Sequence, residues 1–162
     1  MTEATRVILD SNVWLDLVLF DDPPSRPLLT ALEGGQLVAL IDAACFDELR
    51  RVLQYPQFAR FGPDWAPRLA RVEALTERFE QNAPSGRALT LPRCTDRDDQ
   101  KFLSLACDSQ AEWLLSRDRA VLKLAGRVRS RFGFAIATPQ RFLAAWAAPR
   151  ANEDTEASAA AA

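Results

Sequence analysis

Acidic side chains recur in this chain where a short apolar run gives way to a helical pattern. Asp10 closes VILD before SNVWL, Asp99 lies in CTDRDDQKF, Asp118 ends LLSRD, and Glu48 stands in FDELRRVL. No histidine occurs among the 162 residues. Carboxylate oxygens suit a hard divalent cation, Mg²⁺ or Mn²⁺, and a cation so held can activate water and neutralise a phosphate. The missing imidazole excludes Ser-His-Asp and Cys-His arrangements and any reaction that passes protons between two imidazoles.

Each acid also has an ordinary structural use. Asp10 follows an apolar run, with Asn12 opening the next helix, so Asp10 or Ser11 can equally cap that helix. Asp47 meets Arg50 and Arg51 at helical spacings i+3 and i+4, which marks it as a surface acid. Glu48 meets Cys45 and Val52 instead and lies beside the stripe of Phe46, Leu49 and Leu53. An acid leaning toward the core needs a partner or a cation, so Glu48 is favoured over Asp47. Asp96, Asp98 and Asp99 crowd a helix start, where acids favour the dipole without any metal. Asp96 reads as the cap, Asp98 pairs with Lys101 at i+3, and Asp99 shares a face with Phe102 and Leu103. Asp99 is therefore the candidate ligand and Asp98 the second choice. Asp118 suits either a ligand or the cap of RAVLKL. Carboxylates gathered without a cation would repel, and one or more would have to hold a proton.

These acids need a scaffold that brings their elements to one edge. Strands are expected at Arg6–Leu9, Gln36–Ile41, Glu112–Ser116 and Phe134–Ala137, all short and apolar without alternation, as buried parallel strands are. Between and after them fall helical patterns at Asn12–Phe20, Ser25–Glu33, Ala43–Leu53, Asp64–Gln81, Asp98–Ser109, Arg119–Ala125 and Pro139–Trp146. Gln57–Asp64 is left without structure. Such alternation predicts a three-layer α/β/α fold around a parallel sheet of four to five strands, with ligands outside the strands' carboxyl ends. One domain over 1–150 is expected, and the tail 151–162, which lacks large apolar residues, reads as disordered. No apolar run approaches a membrane span and no basic-then-apolar leader opens the chain. Cys45, Cys94 and Cys107 lack metal-binding spacing and read as reduced thiols, so a cytoplasmic location is expected.

Six stretches together resemble the PIN domain family, metal-dependent ribonucleases that include many bacterial VapC-like toxins. They are VILDSNVWL, ALEGGQLVAL, DELRRVLQYPQF, DRDDQKFL followed by LLSRD, and IATPQRFL, spanning roughly Arg6 to Phe142. The resemblance implies an acidic pocket holding one or two Mg²⁺ or Mn²⁺ ions. The family's acids fall on Asp10, Glu48, Asp99 and Asp118, with Asn12 and Ser116 as supporting polar residues. It further implies hydrolysis of RNA to 5′-phosphate and 3′-hydroxyl ends, a small antitoxin protein as partner, and a homodimer. Two departures stand out: Arg97 replaces a frequent proline, and Ala120 replaces a frequent aspartate, so a second ion would bind weakly or not at all.

The net charge is −2, yet Arg117, Arg119, Lys123, Arg127, Arg129 and Arg131 face a single acid, Asp118, within one stretch. That stretch is either a solvated surface or a patch that receives a polyanion, in which case Arg117, Arg119, Arg127, Arg129 and Arg131 are the candidate RNA contacts. Trp14, Phe20 and Trp65 could stack a base or pack in the core. A receiver or dehalogenase-like phosphatase also places an aspartate after strand one. Here no lysine follows FAIAT, and DSN lacks the second carboxylate of D-x-D. The competing non-enzymatic reading is a PIN-like module that binds RNA or protein without cutting it.

Overall fold

The computed structural model describes residues 3–147. Five strands form one sheet, β1 (Thr5–Leu9), β2 (Leu37–Ile41), β3 (Thr76–Arg78), β4 (Trp113–Leu115) and β5 (Ala135–Ala137), in the order β3-β2-β1-β4-β5. Every neighbouring pair is parallel. The helices are α1 (Ser11–Val18), α2 (Arg26–Glu33), α3 (Ala43–Leu53), α4 (Ala66–Leu75), α5 (Gln100–Asp108), α6 (Arg119–Leu122) and α7 (Ala125–Phe132), and residues 139–147 are also helical. From β1 the chain steps outward through β2 to β3, then crosses back to β4 and β5. Right-handed crossovers in opposite directions place the two sets of helices on opposite faces, which gives the α/β/α layering.

The central strands are buried because they have no polar face to show. Val7, Ile8, Leu9, Leu114 and Leu115 are almost wholly enclosed, with Leu28, Leu49, Leu103 and Phe142 packed from the helices. Trp14 is 1% exposed and belongs to this core, so it cannot stack a base. Cys45, Cys94 and Cys107 are free and buried.

Two expected elements need correction. The helix expected over Asp64–Gln81 stops at Leu75, and Thr76–Arg78 pairs with β2 as an edge strand. Thr76 ends the helix by donating its hydroxyl to the Val72 carbonyl at 2.9 Å. The three strand residues, TER, carry no apolar run because Glu77 and Arg78 are exposed. The basic stretch contains a second helix, α7, beyond the expected end at Ala125. Gln57–Asp64, for which the sequence predicts no element, overlaps a 3-10 helix over Pro56–Phe61. The tail 151–162 lies outside the described residues. Among those described, no helix is long and apolar enough to cross a membrane.

Candidate metal centre

β1 and β4 are neighbours whose connections leave in opposite directions, so a crevice opens at their carboxyl ends. Leu9 is level with Leu115, and Leu115 with Ala137. The next row therefore contains Asp10 and Ser116, held by Asp10 N–H to the Leu115 carbonyl at 3.1 Å and Ser116 N–H to the Ala137 carbonyl at 3.0 Å.

Asp10 is 4% exposed, and both its oxygens are engaged. Oδ1 accepts from Val13 N–H at 2.9 Å, capping α1, and Oδ2 accepts from the Ser116 hydroxyl at 2.5 Å. Cap and candidate ligand are thus the same carboxylate. Burial pushes its pKa up to about 6, against the hydrogen bonds from Ser116 and Val13 and the charge of Arg117. Ser116 is fully buried, and its oxygen also accepts from Asp118 N–H at 3.0 Å. Asp118 in turn caps α6, Oδ1 accepting from Ala120 N–H at 2.8 Å.

Asp99 arrives from the turn before α5. One carboxylate oxygen from each of Asp96, Asp99 and Asp118 falls within 4.8 Å of the others. Asp99 Oδ2 is buried without a hydrogen-bond partner. Burial first, then the neighbouring Asp118 carboxylate, pushes Asp99 up to about 7. Once both carboxylates are ionised they repel, and Asp99 Oδ2 has no donor to offset that. An all-oxygen donor set with such an oxygen fits a hard divalent cation.

The sequence marks Asp96 only as a cap, and it does accept from Asp98 N–H at 3.0 Å. What periodicity could not show is the 3-10 turn over Arg97–Asp99, which swings Asp96 beside Asp99. α5 accordingly starts at Gln100 and not at Asp98. Asp98 is exposed and outside the cluster. Lys101 reaches the Asp98 carbonyl, not its carboxylate.

Glu48 faces the same small pocket, about 120 Å³, as Asp10, Asn12 and Asp99. The sequence showed no basic partner along its stripe, but α5 brings one from elsewhere. Lys101 Nζ donates to Glu48 Oε1 at 2.7 Å, and the Ser11 hydroxyl donates to Oε2 at 2.5 Å. Glu48 thus lies on the pocket wall, outside the tight trio. Asp47 pairs with Arg50 on the surface as expected. Asn12 is exposed at the pocket mouth.

The arginines separate. Arg117 is paired with the buried Asp16 of α1, a partner far along the chain and beyond the reach of any local pattern. Arg119 is exposed in the first turn of α6, close to Asp118. α7 then runs back toward the amino ends of β4 and β5, carrying Arg127, Arg129 and Arg131 progressively away from the carboxylates. Arg129 lies with Glu112, Gly133 and Phe134 at that far edge. The patch expected beside the acids is therefore not continuous. Arg93 and Arg97, neither of them among the expected RNA contacts, line a cleft of about 420 Å³ with Cys94 and Gln100.

A family model described as PIN domain matches residues 6–120. The chain is similar in fold to the crystal structure of PAE2754 from Pyrobaculum aerophilum, with a TM-score of 0.58 at 17% identity over 89% of this chain and 96% of that one. No curated protein matches it. With the match covering well over half its length, this chain belongs to the PIN domain family, whose members are generally nucleases.

Proposed function

We propose that this protein is a ribonuclease that hydrolyses phosphodiesters with the help of Mg²⁺ or Mn²⁺. The observation that carries the reading is the approach of Asp96, Asp99 and Asp118 within 4.8 Å, next to the buried Asp10 at the β1/β4 crevice. Three acids this close, with Asp10 beside them, are unfavourable unless protonated or bound to a cation. A bound divalent ion supplies charge neutralisation at the phosphate and activation of water.

The residues supply the rest. Ser116 fixes Asp10 through its hydroxyl and ties the Asp118 backbone to the same atom, so the ends of β1 and β4 move as one. Asp99 must give up its proton before it can ligate, which couples ion binding to pH. Glu48, held by Ser11 and Lys101, presents a fixed carboxylate from the opposite wall, placed to orient an attacking water. The exposed Arg119, next to Asp118, and Arg93 and Arg97, around the turn that carries Asp96 and Asp99, can receive flanking phosphates.

The family resemblance supports the finer parts of this proposal: RNA as substrate, a role as the toxin of a toxin–antitoxin pair, a small antitoxin partner and a homodimer. Calorimetry with Mn²⁺ and cleavage of single-stranded RNA test the central claim together. The wild type should bind Mn²⁺ and cut only with it, and Asp10→Asn should not cut. Cleavage that persists in EDTA, or in Asp10→Asn, removes the mechanism. RNA bound but uncut with Mn²⁺ present would instead favour a non-catalytic RNA-binding module.

A further inference from the structure

Glu48, on the wall of the carboxylate pocket, is held by a cationic side chain from α5. Lys101 is one of two lysines beside eighteen arginines. It stands in the first turn of α5, which packs against α3. Two elements fix its ammonium: Glu48 Oε1 at 2.7 Å and the Asp98 main-chain carbonyl at 2.5 Å. The side chains of this pair are only 22% and 15% exposed. In every other ion pair of the described residues, at least one partner is over 40% exposed. Open surface pairs are weak and mobile, whereas a sheltered pair with a further hydrogen bond holds its cation in place.

We propose that Lys101 fills the place beside Glu48 that a second divalent ion would take, so that the pocket binds one ion, on the Asp96–Asp99–Asp118 side, and Lys101 binds the substrate phosphate. This rests on the nuclease reading above and adds to it the ion count and a phosphate-binding residue. Geometry and charge agree. An ammonium carries three N–H donors, and two are engaged, so one remains to donate to a phosphate oxygen. A divalent ion on Glu48 would meet a fixed positive charge at contact distance and have to expel it. Lys101 also lines a cleft of about 410 Å³ between the first turn of α3, residues 81–84 and α5. Its ammonium thus stands between the Glu48 carboxylate and that cleft, whose wall also carries the amides of Gln81 and Asn82 and the carboxylates of Asp42 and Asp108.

The test counts Mn²⁺ by calorimetry on wild type, Lys101→Met and Lys101→Arg, with single-turnover cleavage of single-stranded RNA alongside. The wild type should bind one ion and Lys101→Met two. Lys101→Met should cut about ten- to a hundredfold more slowly, the worth of one charged hydrogen bond, and Lys101→Arg should recover most of the rate. Two ions on the wild type overturn the inference and leave the nuclease reading standing; this needs no variant to fold. No ion on the wild type overturns both. If Lys101 only braces α5 against α3, Lys101→Met will melt earlier while the count stays at one, and the inference fails.

Discussion

Asp99 combines a buried, unbonded oxygen with a neighbouring carboxylate close enough to share its proton, and a bound cation would remove both burdens. Its replacement by asparagine should therefore move stability and binding in opposite directions. In EDTA at pH 8, Asp99→Asn is expected to melt at or above the wild-type temperature, because a repelled charge has been removed. The same variant should lose Mn²⁺ binding and cleavage. A structural ion-pair acid would behave otherwise, since its loss destabilises by leaving a partner unmatched. Ser116 makes the converse case. Its hydroxyl stabilises the Asp10 carboxylate and also accepts from Asp118 N–H. Ser116→Ala should cost about 1–3 kcal/mol and raise the Asp10 pKa further, weakening Mn²⁺ binding most at acidic pH. Ser116→Thr, which keeps the hydroxyl, should restore both on a denaturant melt and a calorimetric titration. A Ser116→Ala protein with unaltered Mn²⁺ affinity would remove this residue from the site.

At the scale of elements, the acids reach one edge because strand ends and helix starts coincide. Asp10, Asp42, Asp118 and Thr138 each cap the helix that follows β1, β2, β4 or β5. That device is local and therefore legible: apolar run, then capping residue, then helix. Hence Asp10 and Asp118 could be placed from sequence, as could the four apolar strands and the inward lean of Glu48 beside the surface acid Asp47. What stayed hidden depends on contacts between distant segments or on weak local patterns. Lys101 meets Glu48 across 53 positions and Arg117 meets Asp16 across the β1/β4 crevice, while TER has no apolar signal as a strand. The direction of α7 was equally hidden, and it decides which arginines lie near the site. Phosphate contacts should accordingly come from Arg93, Arg97 and Arg119 and not from the last turn of α7. For single-stranded RNA, each lost contact should flatten the plot of log affinity against log salt by about 0.7. Arg93→Ala/Arg97→Ala should thus reduce the slope by about 1.4, and Arg129→Ala/Arg131→Ala should leave it near the wild-type value. Equal slopes for the two double variants, measured by fluorescence anisotropy between low and moderate salt, would restore the continuous patch.

For the whole molecule, the carboxylates make folding, protonation and ion binding one linked equilibrium. Asp10 and Asp99 have folded-state pKa values of about 6 and about 7, above the value of 3.8 for an unperturbed aspartate. Between those limits the folded chain binds more protons than the unfolded one, so metal-free stability must fall as pH rises through that window. An acid held by an ion pair has the opposite sign, but its contribution is complete above about pH 5. Melting in EDTA should therefore occur at a lower temperature at pH 8 than at pH 5.5. Adding Mn²⁺ should reverse the order, because binding needs the carboxylates free of protons. At an ion concentration about a hundredfold above Kd, the gain is about 2.7 kcal/mol. A domain of this size converts that into an upward shift of about 5–10 °C. The shift should be full at pH 8 and small at pH 5.5, where Asp99 still holds its proton. Scanning calorimetry at the two pH values, with and without Mn²⁺, gives four melting temperatures that decide the matter. A metal-free protein that becomes more stable toward pH 8, or a Mn²⁺ shift of equal size at both, would mean that these carboxylates do not act together on one ion.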